Sequence, residues 1–477
     1  MNKFTLVVLL GTALSMKACS SSSSSPFAPD GHGDWASSDD VSTSSLRKEI
    51  ETRQSARRGR SPLETPEHAD VDDYVRLALD QNPAIRSAKQ RVLRLTNRIP
   101  QATSLPDPML QVTPIGEMAE TAAGQVNLMA GISQRIPLPK KRETRGRVAA
   151  QDVAEAIQQL EEVRLNVEAD TRVAWWSHYF AIQAIEVTDR NRSLVAQFKD
   201  VADAKFRAGA AAQEDVLRAS VELSSLENEL VSLNQLKVSA EAMLNRLIDR
   251  PVTSAIPEPD DQTIEAIDFQ LASLLTKAEA AHPSLQRQRE RIEGFKQRYE
   301  LAMLDRWPDL TLSFAYNLVE NDGLSPVANG DDQWWIGFGI TLPIWTDRLE
   351  SAEREALRGR LENIELLNSE RNRIEFLIQD TLTKTLTHRK QALMFRDVII
   401  PQAKQTLDAS LSSYRAGNVE FLTLIDNWRK LLAFELTFHH HLSQFKKSMA
   451  ELRRAAGIGM EDTNEKVEPD QGAEVQS

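Results

Sequence analysis

Two stretches of this 477-residue chain, Lys140–Phe206 and Arg348–Tyr414, each run 67 residues in a helical pattern. As one continuous helix, either would be roughly 100 Å long. A rod of that length cannot wrap around a compact core, so it must pack lengthwise against partners. The segments that follow supply the seam. In Glu222–Leu247, residues Leu223, Leu226, Leu230, Leu233, Ala240, Leu244 and Leu247 fall at alternating three- and four-residue steps, interrupted by Lys237. Leu431, Phe434, Phe438, His441, Phe445 and Leu452 do much the same. This is heptad packing. Glycine supports it: 19 residues is about 4%, against roughly 7% in ordinary proteins.

The chain also repeats itself, and repeats decide architecture. "DQNPAIRSAKQRV" returns as "AAHPSLQRQRERI", which places Pro283 opposite Pro83. "LPDPMLQV" returns as "WPDLTLSF", and "GISQRIPLPKKR" returns as "GITLPIWTDR". "FRAG" at Phe206–Gly209 returns as "YRAG" at Tyr414–Gly417, 208 positions later. The order predicts a tandem duplication of helix–strand–strand–long helix–helix. In the first copy, Val71–Arg98 is expected to be helical and to be ended by Pro100 and Pro106.

Between the helices the period changes to two. Val126, Leu128, Ala130 and Ile132 alternate with Asn127, Met129, Gly131 and Ser133. Leu310, Leu312, Phe314, Tyr316 and Leu318 alternate with polar or small residues, and Trp334, Ile336, Phe338, Ile340 and Leu342 share one face. These are strands with one apolar face. Their length suits a tilted membrane strand of about 9–11 residues. Trp307, Trp334 and Trp335 lie near strand ends, where an aromatic belt would sit. Four strands cannot close a barrel, since the smallest outer-membrane barrels use about eight. A membrane sheet of this kind must therefore be shared between protomers. The competing reading is a small soluble sheet packed on helices.

The termini are simpler. Met1–Lys3 is basic and Phe4–Leu14 is an apolar run of 11 residues, which is signal-peptide size and too short for a membrane helix. "SMKAC" resembles a bacterial lipoprotein signal with acylation at Cys19. That cysteine is the single one in the chain, so an intramolecular disulfide is excluded. The organisation expected is a signal peptide over 1–18, a flexible tether over 19–68, repeats over 69–250 and 267–457 joined by a linker over 251–266, and an acidic tail over 458–477. The net charge of −12 gives no support for nucleic-acid binding.

Taken in order and in duplicate, the "ALDQNP" element, the "LPDPML" and "WPDLTLSF" strands, "GISQRIPLPKKR", "GITLPIWTDR" and the two tips resemble the TolC family of outer-membrane efflux channels. The resemblance covers about residues 70–457. It implies a mainly helical homotrimer in which each protomer gives four strands to a shared 12-stranded β-barrel and its long hairpins to a periplasmic tunnel. It also implies a passive duct that receives small molecules or metal ions through a periplasmic adaptor from an inner-membrane pump of the RND type. The phrasing around the strands is most similar to the cation-efflux branch, which often has glycine where this chain has Lys140 or Lys141.

The resemblance places the two tips where the tunnel closes and the adaptor docks. Gly209 and Gly417 suit the positive φ of a helix C-terminal cap. Glu214, Asp215 and Glu420 open the next helices, where acids also simply stabilise the dipole. Asp426 falls on a position where the family carries an acidic ring, and Thr423 where a second acid is common. Tyr414 and Arg415 resemble residues that tie the turn shut, and with Glu420 and Asp426 they are expected at the aperture. The triplet His439–His441 cannot aim three side chains at one ion, because helical neighbours point about 100° apart. Met109, Met118 and Met129 read as scattered packing or loop methionines rather than copper ligands. No metal site, cofactor or catalytic arrangement is expected: HExxH, GxSxG, P-loop and CxxC motifs are absent from the sequence. The alternative function is a periplasmic coiled-coil lipoprotein scaffold without a channel. Mass spectrometry of the mature N-terminus is expected to find an acylated Cys19; a free amine at another residue would show ordinary cleavage instead.

Overall fold

The computed structural model describes residues 70–116, 120–259, 263–267 and 269–460. The signal peptide, Cys19 and the tether, together with Met118 and the tail beyond residue 460, lie outside the described residues. The first repeat contains α1 (Val71–Gln81), α2 (Pro83–Thr96), α3 (Arg98–Thr103), β1 (Met109–Pro114), the short β2 (Glu120–Thr121), β3 (Gly124–Ile136), α4 (Pro139–Arg207) and α5 (Gln213–Leu247). The second contains α6 (Leu271–Ala281), α7 (Pro283–Leu304), β4 (Leu310–Val319), β5 (Gln333–Ile340), α8 (Thr346–Met394), a π-helical turn (Phe395–Ile399), α9 (Ile400–Ala416) and α10 (Phe421–Ala456). The duplicated order expected from the sequence is therefore the order of the fold.

The copies share their joints as well as their order. α2 begins with Pro83 behind Asn82, whose Oδ1 accepts a hydrogen bond from the Ala84 amide at 2.8 Å. α7 begins with Pro283 behind His282, whose Nδ1 accepts from the Ser284 amide at 3.2 Å. A proline in the first turn sacrifices no helical hydrogen bond. The same rule corrects one expectation. Pro100 does not end the helical region; it sits in the first turn of α3, and the helical stretch continues to Thr103.

α4 is continuous over 69 residues, about 104 Å at 1.5 Å per residue. Its counterpart is not continuous. The π-helical turn at Phe395–Ile399 separates α8 from α9, and Pro401 follows in the first turn of α9. Proline has no amide hydrogen, and its ring collides with the carbonyl four residues back, here Asp397. The widened turn absorbs both problems. The seam residues pack as their spacing requires: Leu226, Leu233, Ala240, Leu244, Leu431, Phe445 and Leu452 are buried. Lys237, the polar interruption, pairs with Glu258 at 3.6 Å. Three apolar clusters result. One surrounds Trp175 and Tyr74, one lies near Ile378 and Leu452, and one joins the two hairpins around Trp428 and Phe421.

The sheet runs β1-β3-β4-β5, all antiparallel, with β2 paired to β3. Leu110, Ile132, Phe314 and Ile336 stand side by side across the four long strands. All four are exposed, and Phe338 is 76% exposed. On the opposite face, Ser133, Ser313 and Gly337 align, with the Ser313 hydroxyl donating to the Gly337 carbonyl at 3.2 Å. The sheet is inside out compared with a soluble one, and both β1 and β5 are paired on one side only among the described residues.

Strand and rod are tied by a buried charge cluster. Lys141, 3% exposed, points its Nζ at the Asp309 carboxylate (2.9 Å) and the Trp307 carbonyl (2.7 Å). Asp309, 2% exposed, also accepts from Arg135 at 2.6 Å. This links β3, the start of α4 and the entry to β4. Removing one partner of a buried pair strands the other charge, at about 3–5 kcal/mol. Asp309→Asn is expected to lower the thermal midpoint of helix unfolding, followed by circular dichroism, by an amount matching about 3 kcal/mol. The double change Lys141→Met with Asp309→Leu should recover most of it. An unchanged midpoint in Asp309→Asn would show that the cluster contributes nothing.

Candidate gate at the hairpin tips

Each tip is made by the same backbone device. At the first, the Ala210 amide donates to the Lys205 carbonyl at 2.8 Å, and Gly209 has φ +73°. At the second, the Asn418 amide donates to the Ser413 carbonyl at 2.9 Å, and Gly417 has φ +84°. A six-to-one bond around a left-handed residue is a Schellman cap, and glycine adopts that conformation without steric cost. The following helices start at Gln213 and Phe421 without a side-chain cap. Glu214 and Asp215 lie in the first turn of α5, where they face the positive end of its dipole. Glu420 precedes α10 and is exposed.

The two tips then diverge. Phe206 is 42% exposed, whereas its counterpart Tyr414 is 4% exposed. Tyr414 packs on Phe421 with ring centroids 5.3 Å apart, and its hydroxyl donates to Asp215 across the hairpins at 3.3 Å. Burial, and then the neighbouring Asp215 charge, push the Tyr414 phenol up to about 12. The hydroxyl therefore stays protonated and remains a donor. Lys205 completes the contact from α4: its Nζ donates to the Tyr414 carbonyl and lies 4.3 Å from the centre of the Tyr414 ring. Deeper in the hairpins, the Trp428 indole N–H donates to Asn191 at 2.9 Å, and the Asn191 amide donates to Glu435 at 3.2 Å. Lys404 reaches the same carboxylate at 3.2 Å.

Of the residues singled out in the sequence, Tyr414 and Asp215 are therefore in contact. Glu214 pairs with Arg218 one turn on. Arg415 is exposed, and no partner for it is found among the described residues. Asp426 is exposed on α10, one turn beyond the equally exposed Thr423. Its neighbour is Arg429, at 3.8 Å. The same guanidinium donates through Nε (3.3 Å) and Nη2 to Glu222 of α5, which is largely buried. Arg429 is thus committed mainly to Glu222.

Lys205, Asn191, Glu222 and Glu435 were not legible as tip residues. Glu435 did carry a signal, as the one acid inside the apolar run "LLAFELTF". The other three sit among many similar polar residues on long helices, and a contact from α4 or α5 to α9 or α10 leaves no local trace. The methionines do not converge: Met109 aligns with Ser133, and Met129 with Thr113. The three consecutive histidines go to different neighbours. His439 lies against Tyr179, His440 against Phe180, and His441 against Phe395 and His388.

Known proteins share this fold. The sequence model of the family described as "Outer membrane efflux protein" matches residues 74–249. The cobalt-zinc-cadmium resistance protein CzcC of Cupriavidus metallidurans is 23% identical over 413 residues, spanning 83% of this chain and 92% of that protein. The outer-membrane channel OprN superposes with a TM-score of 0.69 at 14% identity, over 82% of this chain and 90% of that one. The outer membrane protein VceC of Vibrio cholerae superposes at 0.68 with 19% identity, over 82% and 96%. The solved structures establish the fold that this chain shares with outer-membrane channels, and the family model matches its first repeat.

Proposed function

We propose that three copies of this chain form the outer-membrane exit duct of a tripartite efflux system, with their sheets closed into one barrel and their hairpins lining a periplasmic tunnel. The observation that carries this reading is the four-strand path with an apolar, exposed face and two open edges, joined to a rod about 100 Å long. Lipid tolerates no unpaired strand edge, so the edges of β1 and β5 must meet edges from other protomers. A periplasmic scaffold would leave the row Leu110, Ile132, Phe314 and Ile336 facing water without purpose. The family is one of transport ducts rather than enzymes, and the energy for export comes from the partner pump, which we take to be of the RND type and joined through a periplasmic adaptor. Cys19 would add a lipid anchor.

We assign the aperture to the second tip. Tyr414, Asp215 and Lys205 hold the second hairpin against the first, which keeps the tip inward. Asp426 would line the opening, where symmetry brings three carboxylates together and favours cations. The resemblance to CzcC supports divalent metal cations as cargo. The exposed Gly209, Glu214 and Gly417, with Asp215 beside them, form the end that the adaptor would grip, and the exposed Arg415 and Glu420 belong to the aperture.

Two outcomes follow in planar bilayers. Tyr414→Phe removes a hydrogen bond to a charged acceptor, worth about 1.5 kcal/mol, and should raise open probability about tenfold. Lys205→Met should act in the same direction, and unchanged gating in both variants would place the gate elsewhere. Asp426→Asn should lower cation selectivity while leaving Tyr414 and its contacts intact; unchanged selectivity would remove Asp426 from the pore lining.

A further inference from the structure

His388 on α8 and His441 on α10 present their Nδ1 atoms to each other at 3.2 Å, with ring centroids 5.4 Å apart. Both rings are half-buried. Phe395 stacks on His441 at 5.7 Å and 27°, and also touches Phe434. Phe395 is the first residue of the π-helical turn. Such turns concentrate at functional sites. No carboxylate bonds either ring among the described residues.

The separation has a further meaning. Two nitrogens bound to one ion at about 2.0–2.1 Å stand about 3.3 Å apart if the ion is tetrahedral and about 4 Å apart if it is linear. The observed 3.2 Å matches the tetrahedral edge. We infer that His388 and His441 form an interhelical site for a borderline divalent cation such as Zn2+ or Co2+. Neutral imidazole suits these ions. On binding, the ring that carries its proton on Nδ1 moves it to Nε2, so no net proton is released. No set of three such side chains converges among the described residues, so water completes the shell and exchange is fast. The ion cross-links α8 to α10 beside the π-helical turn. The site lies apart from the hairpin-tip contacts and does not depend on the duct reading, because binding is read without transport.

The test uses the full chain, purified in detergent without a polyhistidine tag. Zn2+ calorimetry should give one equivalent per protomer, and Co2+ should give the intense visible bands of tetrahedral coordination. H388Q and H441Q should each weaken Zn2+ binding by about tenfold or more, since even outer-shell losses cost about that much. H439Q should leave it unchanged. Circular dichroism and oligomer size establish that the variants fold. In the unmodified chain, Zn2+ should also protect His388 and His441 from diethyl pyrocarbonate, mapped by mass spectrometry. Absence of uptake, octahedral Co2+ bands, unaltered affinity in H388Q and H441Q or failure of protection would each overturn the site and leave a plain N–H···N hydrogen bond.

Discussion

A strand edge in hydrocarbon must find a partner, and this requirement shapes the rest of the molecule. Water would satisfy the outer amides and carbonyls of β1 and β5, but lipid cannot. The path β1-β3-β4-β5 is too short to curl onto itself, and its apolar face points outward. Assembly is therefore built into the backbone before any side chain is considered. The helices inherit that condition. α4 follows β3 after two residues, and α8 follows β5 after five, so the direction of each rod is set at the membrane surface. The Lys141–Asp309–Arg135 cluster stiffens that corner. A buried ion pair is a poor source of net stability, but it penalises misalignment heavily, and a joint between a barrel and a rod needs directional definition.

Much of this was legible in the sequence because two periodicities, 3.6 and 2, do not resemble each other. The heptad run from Leu223 to Leu247 and the alternation from Leu310 to Leu318 survive in any context, and duplication gives each a second witness. The unpaired edges were legible by counting strands. The contacts that make the site were harder to read. Tyr414 could be singled out because it sits beside a glycine break. Lys205 could not, since its partner is 209 residues away and it looks like any lysine in a last helical turn. The π-helical turn was not foreseen, because Pro401 lies inside a strong helical period. The proline does not end the helix there; one wide turn accommodates it.

The histidine triplet shows the limit of reasoning along one helix. Consecutive positions point apart, and the structure sends His439, His440 and His441 to separate neighbours. What one helix forbids, two helices permit: His388 arrives from α8 at the position that His441 faces. The register between α8 and α10 decides this, and register is a property of packing, not of the local pattern.

Duplication also bears on why the polar contacts between the hairpins gather at one tip. Both copies inherit the same Schellman cap, so both reversals are equally sharp. A gate needs the two hairpins of a protomer to differ, because a structure that moves both alike has nothing to move against. Exposure of Phe206 and burial of Tyr414 break the internal symmetry. The hydroxyl that phenylalanine lacks gives the second hairpin a polar hold on Asp215 of the first. That hold is light, one hydrogen bond at 3.3 Å supported by one lysine at the edge of a cluster. The deeper Trp428–Asn191–Glu435 chain is buried and fully partnered, so it resists opening. The two hairpins are therefore held more tightly at Trp428 than at Tyr414.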